Sequence, residues 1–179
     1  KHILSTYDNH NRIKIIHKKN EGVCSARNLA LSMAKGDYIQ WLDADDILNK
    51  NKIYEQMCIW KHHRDPKTLF SSSFGLFYFN VDNSQIVNND LCQDLSPVDW
   101  LSTKLSNYDK NWVADSTWLV SRHLSNKAGP WNTSLIRDND GEYFCRVVSN
   151  CTKVIFVKEA ISYYRVGIPT SISQAKSVN

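Results

Sequence analysis

The segment Asp43-Ala44-Asp45-Asp46 sets three carboxylates within four positions. Like charges this close repel, so a fold that gathers them needs a cation or dense hydrogen bonding to offset the charge. In an extended segment Asp43 and Asp45 project to one side and Ala44 to the other, so two oxygens can converge on one metal ion or one ligand. Hard oxygen donors of this kind suit Mg2+ or Mn2+, which keep coordination positions open for substrate phosphates. The pattern alone is weak. A solvated acidic loop looks the same, and Asp46 is also a natural cap for a following helix.

The elements around this run are those that present an acidic turn at the end of a strand. Ile13-Lys14-Ile15-Ile16-His17 is a short β-branched run closed by the polar turn Lys18 to Gly22, and reads as a strand. From Val23 to Lys35, Val23, Ala26, Ala30 and Met33 recur at helical spacing, and Gly36 stands where a left-handed cap would. Asp37 to Leu42 supplies a second strand, halted by the acids. Strand, helix and strand in this order predict a right-handed crossover to a parallel neighbour. Further on, the pattern predicts a helix over Asn51 to Lys61, one or two strands over Leu69 to Phe79, and a strand at Trp118 to Val120. A helix over Glu142 to Val148 and a late strand at Val154 to Val157 follow. Ser96-Pro97-Val98-Asp99 has the capping serine, first-turn proline and acid of a helix start. The polar tail Ser171 to Asn179 reads as loose or ordered by a ligand.

With 179 residues, 42% of them hydrophobic, the chain has material for one α/β domain and little for two. The net charge of +4 is spread along the chain, which neither requires nucleic acid nor excludes an anionic ligand or a membrane surface. No apolar stretch reaches the roughly 18 to 20 residues that cross a bilayer, and the first residues lack the order of a secretory signal, so a cytoplasmic protein is expected. The five cysteines are widely spaced without a C-x-x-C pair, and read as reduced structural thiols. The histidines show no metal-ligand spacing.

The stretch Asn20-Glu21-Gly22-Val23-Cys24-Ser25-Ala26-Arg27-Asn28, followed by Gly36-Asp37-Tyr38-Ile39-Gln40-Trp41-Leu42-Asp43-Ala44-Asp45-Asp46, closely resembles the family 2 glycosyltransferases of the GT-A fold. The resemblance continues through Gly129-Pro130-Trp131, through Asn139-Asp140-Gly141-Glu142-Tyr143-Phe144-Cys145-Arg146, and through Tyr163-Tyr164-Arg165 with Ser171 and Ser173. It implies a Rossmann-like mixed sheet flanked by helices in a single domain over 1–179, with nucleotide and metal binding in 1–48 and the acceptor site and catalytic base in 49–179.

The roles that the resemblance implies are specific. Asp45 would hold a Mn2+ or Mg2+ ion on the diphosphate of a nucleotide-sugar donor, UDP being the commonest nucleotide. Asp43 would contact the ribose or sugar and share in metal binding, and Asp46 would support the metal or cap a helix. Arg27 would contact the diphosphate or nucleobase edge, with a surface ion pair as its plain alternative. Asp140 matches the base of an inverting transfer, which deprotonates the acceptor hydroxyl opposite the leaving group. The family's preceding glutamate is Asn139 here, and Asp138 is a substitute base one register away. Glu142 and Arg146 read equally well as an ordinary i,i+4 ion pair. Trp112, Trp118 and Trp131 fall in the acceptor half, where aromatic faces stack on sugars, although core packing explains each of them as well.

The family's opening strand, helix and second strand have no counterpart in the chain, so the resemblance implies an N-terminally truncated domain lacking a β-α-β unit of roughly 30 residues. The expected partners are a nucleotide-diphosphate sugar and a glycan or lipid-linked acceptor, with no nucleic acid. Peripheral association with the inner face of the plasma membrane and homodimerisation are compatible with that reading. Two other readings stay open: a non-catalytic remnant or nucleotide-sugar-binding module, and a metal-dependent phosphohydrolase using Asp43 and Asp45.

Overall fold

The computed structural model describes residues 6–7 and 10–168. Its elements run in chain order α1 (Val23–Met33), β1 (Tyr38–Gln40), β2 (Ile47–Leu48), α2 (Lys52–His63), β3 (Thr68–Phe77) and β4 (Gln85–Ile86). They continue with α3 (Pro97–Ser106), a 3-10 turn (Asp115–Thr117), β5 (Leu119–Ser121), α4 (Arg122–Ala128), α5 (Asn139–Asn150) and β6 (Lys153–Arg165). One mixed sheet of six strands, ordered β1-β5-β3-β6-β2 with β4 added to β3, carries these helices.

The frame of the sheet is the long pair β3 and β6, which run parallel from Thr68↔Lys153 to Phe77↔Arg165. All but one residue of β3 is buried, as expected of a central strand covered on both faces. Between Ser72 and Ser73 the partner jumps from Val157 to Ile161, so three residues of β6 bulge out of the ladder. Such a bulge bends the strand and sharpens its twist. The hydroxyl of Ser73 donates to the Lys158 carbonyl at 2.9 Å and so satisfies part of the irregular stretch.

Helix α3 begins as its sequence requires: the Ser96 hydroxyl accepts from the Asp99 amide at 3.1 Å, and Pro97 occupies the first helical turn. Helix α5 follows Asp138, whose backbone is left-handed (φ 52°), and packs Tyr143, Phe144, Val147 and Val148 into the core. A Cβ on Gly141 would stand 2.5 Å from the Asp138 carboxylate, so any larger residue at 141 would have to displace that side chain. The five cysteines are free thiols. Among the described residues no helix is long and apolar enough to cross a membrane.

Three local expectations change. Residues 13–17 form no strand: Ile13 and Ile16 are exposed, and no strand among the described residues pairs with them, the Ile13 amide donating instead to the His10 carbonyl at 3.0 Å. β propensity without a ladder partner does not make a strand. Accordingly β1 has no parallel neighbour from that segment, and among the described residues it pairs with β5 alone, which is antiparallel. Gly36 is not a left-handed cap either. Helix α1 ends at Met33 on an extended Ala34, and the positive-φ glycine is Gly22, at the start of that helix. The tail from Ser171, with Ser173, lies outside the described residues.

Lys52 is fully buried in this frame. Its ammonium donates to the Gln40 side chain at 2.5 Å and reaches the Trp118 carbonyl at 3.5 Å, with no carboxylate beside it. Burial alone pushes its pKa well below the ordinary lysine range. A lysine that the fold prefers neutral takes up a proton on unfolding, so stability falls as pH drops from the unfolded value near ~10.4 toward the folded one. The stability difference between Lys52→Met and the unaltered chain should therefore move in favour of the variant by up to ~1.4 kcal/mol per pH unit between pH 9 and pH 7. Urea melts at the two pH values measure it, and a difference independent of pH contradicts it.

Candidate active site

The Ala26-Arg27-Asn28 segment of α1 builds the site from its middle. Asn28 brackets the backbone of Trp131 on both sides: its carbonyl accepts from the Trp131 amide at 2.7 Å and its amide donates to the Trp131 carbonyl at 2.9 Å. The Trp131 ring, stacked on Tyr143 at 4.0 Å and edge-on to Trp41 at 5.2 Å, is thereby fixed in the aromatic core. Arg27 lies over this ring, its guanidinium carbon 4.3 Å from the centroid. A planar cation stacked on an aromatic face has its donors held in a fixed fork.

Those donors reach three separate parts of the chain. The Nη2 group of Arg27 meets Asp43 Oδ1 at 2.8 Å and Asp115 Oδ2 at 2.7 Å, and Nη1 donates to Asn139 Oδ1 at 3.3 Å. The Arg27 and Asp115 side chains are only 10% and 12% exposed, whereas Asp43 is 49% exposed. Asn139 is the first residue of α5, next to Asp140, and burial, opposed by Arg27 and reinforced by Asp140 and Asp43, pushes the pKa of Asp115 up to about 8. Arg27 thus joins the acidic turn, through Asp43, to the start of α5, through Asn139.

The acidic run itself is a turn. The Asp46 amide donates to the Asp43 carbonyl at 3.2 Å, so Asp43 and Asp45 do not alternate along an extended strand as expected. Asp43 is turned to Arg27, and Asp45 is exposed. Asp46 neither caps α2, which begins at Lys52 after β2, nor stands open to solvent. Its carboxylate accepts from the Arg165 amide at 3.0 Å. Burial, reinforced by Asp45 and Asp43 and opposed by that amide, pushes its pKa up to about 6. The Arg165 side chain completes the clasp by donating to the carbonyls of Asp45 and Tyr78, each at 3.0 Å.

Among the described residues no three acidic, histidine or cysteine side chains converge to hold a metal by themselves. The donor chemistry of the turn still fits a hard divalent ion, because Mg2+ and Mn2+ bind through one or two carboxylates together with water and substrate phosphate. Next to the turn, between α1 and β1, lies a cleft of about 450 Å³ lined mainly by Val23, Ala26, Ala30, Ile39 and Trp41, with Arg27 and Asp43 on its wall.

Residues 1–91 match Glycosyl transferase family 2. The chain belongs to this family. An uncharacterized glycosyltransferase of Methanocaldococcus jannaschii is 26% identical over 156 residues, covering 86% of this chain and 50% of that protein. The glycosyltransferase GlyG of Streptococcus pneumoniae is 25% identical over 169 residues, covering 87% of this chain and 52% of that one. The chain therefore spans about half the length of these family 2 relatives. Among solved structures, S. aureus TarS 1-349 in complex with UDP-GlcNAc is similar with a TM-score of 0.75 at 15% identity, covering 98% of this chain and 48% of that one. The fold is the GT-A type expected of family 2, a mixed sheet flanked by helices.

Against this fold the other expected residues sort themselves. Glu142 and Arg146 form the i,i+4 ion pair, with Nε to Oε1 at 2.6 Å, and Arg146 also donates to the Pro130 carbonyl at 2.9 Å. Asp138 accepts from the Tyr108 hydroxyl at 2.5 Å. Trp118 and Trp131 are core residues, and Trp112 packs edge-on against Phe74 and Tyr164. The exposed aromatics nearer the acidic turn are Tyr78 and Phe79, the latter 96% exposed, just past the end of β3.

Asp115 was not singled out from the sequence. Its only signal there is an acid isolated in the small and apolar run Val113-Ala114-Asp115-Ser116-Thr117-Trp118.

Proposed function

We propose that this chain is the donor- and base-bearing part of an inverting glycosyltransferase that moves a sugar from a nucleotide-diphosphate sugar, most simply a UDP-sugar, to a hydroxyl of a glycan or lipid-linked acceptor. The observation that carries the reading is the convergence, through one guanidinium, of the acidic turn and the start of α5, which are almost a hundred residues apart in sequence. A donor nucleotide is supported by the similar S. aureus TarS structure, which was solved with UDP-GlcNAc.

In this reading Asp140 accepts the proton of the acceptor hydroxyl. The acceptor oxygen then bonds to the anomeric carbon from the face opposite the nucleotide. The bond from that carbon to the diphosphate breaks, and its electron pair leaves on the diphosphate. Asp45 and Asp43 would hold a Mn2+ or Mg2+ ion, which supplies Lewis-acid neutralisation of the leaving group when bound. Arg27 orients Asp43 and Asn139 on either side of the reacting atoms and is charged throughout the working pH range.

The test is calorimetry with UDP, with and without Mn2+, on the full-length protein and on Asp45→Ala. The expected result is metal-dependent binding that weakens by at least ~10-fold in the variant, or about 1.4 kcal/mol. Equal binding with and without Mn2+, or an unchanged Asp45→Ala, refutes the metal role of the turn. Release of phosphate from a simple ester without any sugar nucleotide would favour a phosphohydrolase instead.

A further inference from the structure

Asp138 opens α5 in a conformation that few side chains adopt. Its φ of 52° is left-handed, which among the described non-glycine residues only Arg64 shares. Such backbone costs roughly 1 kcal/mol or more and persists where neighbouring structure holds it. The Asp138 carbonyl accepts from the Glu142 amide at 3.1 Å, yet its carboxylate caps no amide of the helix. The carboxylate accepts instead from the Tyr108 hydroxyl at 2.5 Å, in the turn that follows α3. It lies against Gly141, where a Cβ would meet it at 2.5 Å. The Tyr108 ring is held in turn by Lys104, whose ammonium lies 4.1 Å from its centroid. Lys104 is buried on α3, and a desolvated cation gains most from an aromatic face. On the other flank of the same helical turn, Arg27 donates to Asn139 Oδ1 at 3.3 Å. The residue after these two is Asp140, which is partly open to solvent. The start of α5 is thus mounted on two points, Arg27 of α1 and Tyr108 beyond α3.

We propose that Tyr108 is a positioning residue for the base: by holding the Asp138 carboxylate it fixes the left-handed start of α5, and with it the direction in which Asp140 presents its own carboxylate to the acceptor hydroxyl. The idea rests on the assignment of Asp140 as base. The ordinary alternative for an aspartate at this position is extended backbone, with the carboxylate accepting from the second or third amide of the helix. The Tyr108 hydrogen bond keeps Asp138 out of that alternative. Without the phenol hydroxyl the carboxylate swings off Gly141, the backbone at 138 relaxes, and the first helical turn moves with it. Such a shift is felt in the rate more than in affinity, because transfer requires the reacting atoms to be aligned within about 3–3.5 Å. What Asp138 supplies is one acceptor oxygen and tolerance of positive φ, and asparagine supplies both.

Steady-state assays of the full-length protein with a UDP-sugar and acceptor test this. Tyr108→Phe should lower kcat about tenfold and leave both KM values within about twofold, because it loses positioning of the base and not binding. Asp138→Ala should fall at least as far, and Asp138→Asn should stay within about threefold of the unaltered protein. Adding Tyr108→Phe to Asp138→Ala should cost no more than about twofold further, since both remove the same hydrogen bond. A Tyr108→Phe variant with unaltered kcat overturns the proposal. So does a double variant whose loss is the product of the single losses, or a Tyr108→Phe loss confined to the acceptor KM, which would mean that the ring touches the acceptor. Tyr108 is 47% exposed, so phenylalanine leaves the core intact. Thermal melts and UDP binding show whether Asp138→Ala is folded, and Tyr108→Phe with Asp138→Asn decides the matter if it is not. Asp140→Asn, run in parallel, separates the two layers of the argument. If that variant keeps full rate the base assignment fails, and if it is inactive while Tyr108→Phe turns over normally, only the role of Tyr108 fails.

Discussion

Asp140→Asn is expected to lower the rate of sugar transfer by about a thousandfold while leaving the affinity for donor nucleotide within a few-fold. Loss of a positioned general base removes typically ~10²–10⁴ in rate. Its loss acts on the transition state, so kcat and kcat/KM should fall together. The geometry makes the substitution a clean one, since Asp140 sits in the first turn of α5 and asparagine is tolerated there, as Asn139 itself shows. UDP release in the presence of acceptor measures the effect. Asp138→Asn is the companion measurement. Asp138 precedes the helix, is exposed, and is engaged by the Tyr108 hydroxyl, so its variant should retain most of the activity. If Asp138→Asn is the inactive one and Asp140→Asn turns over normally, the base has been assigned to the wrong carboxylate.

Arg27→Met should be the most destabilising single change at the site, by about 3 kcal/mol at neutral pH. Methionine keeps much of the volume over Trp131 but leaves Asp115, Asp43 and Asn139 without the guanidinium that bonds all three, and each buried polar partner left unsatisfied costs roughly 1–3 kcal/mol. Asp43 is half exposed and can turn to solvent, so the loss falls mainly on Asp115. The pH dependence has a definite sign. Without Arg27 the folded pKa of Asp115 rises further above its unfolded value. With Asp115 protonated in both folded proteins below about 8, the deficit is constant there and grows only as pH rises through 8, where the unaltered protein ionises Asp115 beside Arg27 and the variant does not. Urea melts at pH 6 and pH 9 measure it. A variant within 1 kcal/mol of the unaltered chain at pH 9 contradicts the prediction, a tolerance of roughly the size of an exposed ion pair. Because Arg27 joins Asp43 to Asn139, a folded Arg27→Met should also lose transfer activity at temperatures well below its melting point.

What was legible in the sequence was what depends on neighbours along the chain. Helix α1, strand β1 and the Ser96-Pro97 start of α3 follow from local periodicity and capping to within a few residues, while the helix expected over Glu142 to Val148 begins three residues earlier, at Asn139, and so takes in Asp140. The run at Ile13 to His17 has the composition of a strand, but composition does not supply a ladder partner. The long parallel pairing of β3 with β6 joins residues about eighty positions apart, and no local signal encodes it. Asp43, Asp45, Asp140 and Arg27 stand in the order on which the family resemblance rests, and the structure joins Arg27 to Asp43. Asp115 belongs to no such order. Its importance comes from burial beside Arg27, which only the folded chain creates.

The clasp between Arg165 and the acidic turn bears on how the protein is made. The contact spans 120 residues, from Asp45 to the last residue of β6. At a synthesis rate of ~5–20 residues per second, the turn leaves the ribosome's active centre roughly 6–24 s before the strand that secures it. During that interval Asp43, Asp45 and Asp46 belong to an unfinished sheet. A nascent chain halted before β6 is complete would carry the acidic motif without the arginine that holds it in place. Completion of the sheet thus fixes the acidic turn, and a product truncated before β6 lacks the clasp that holds it.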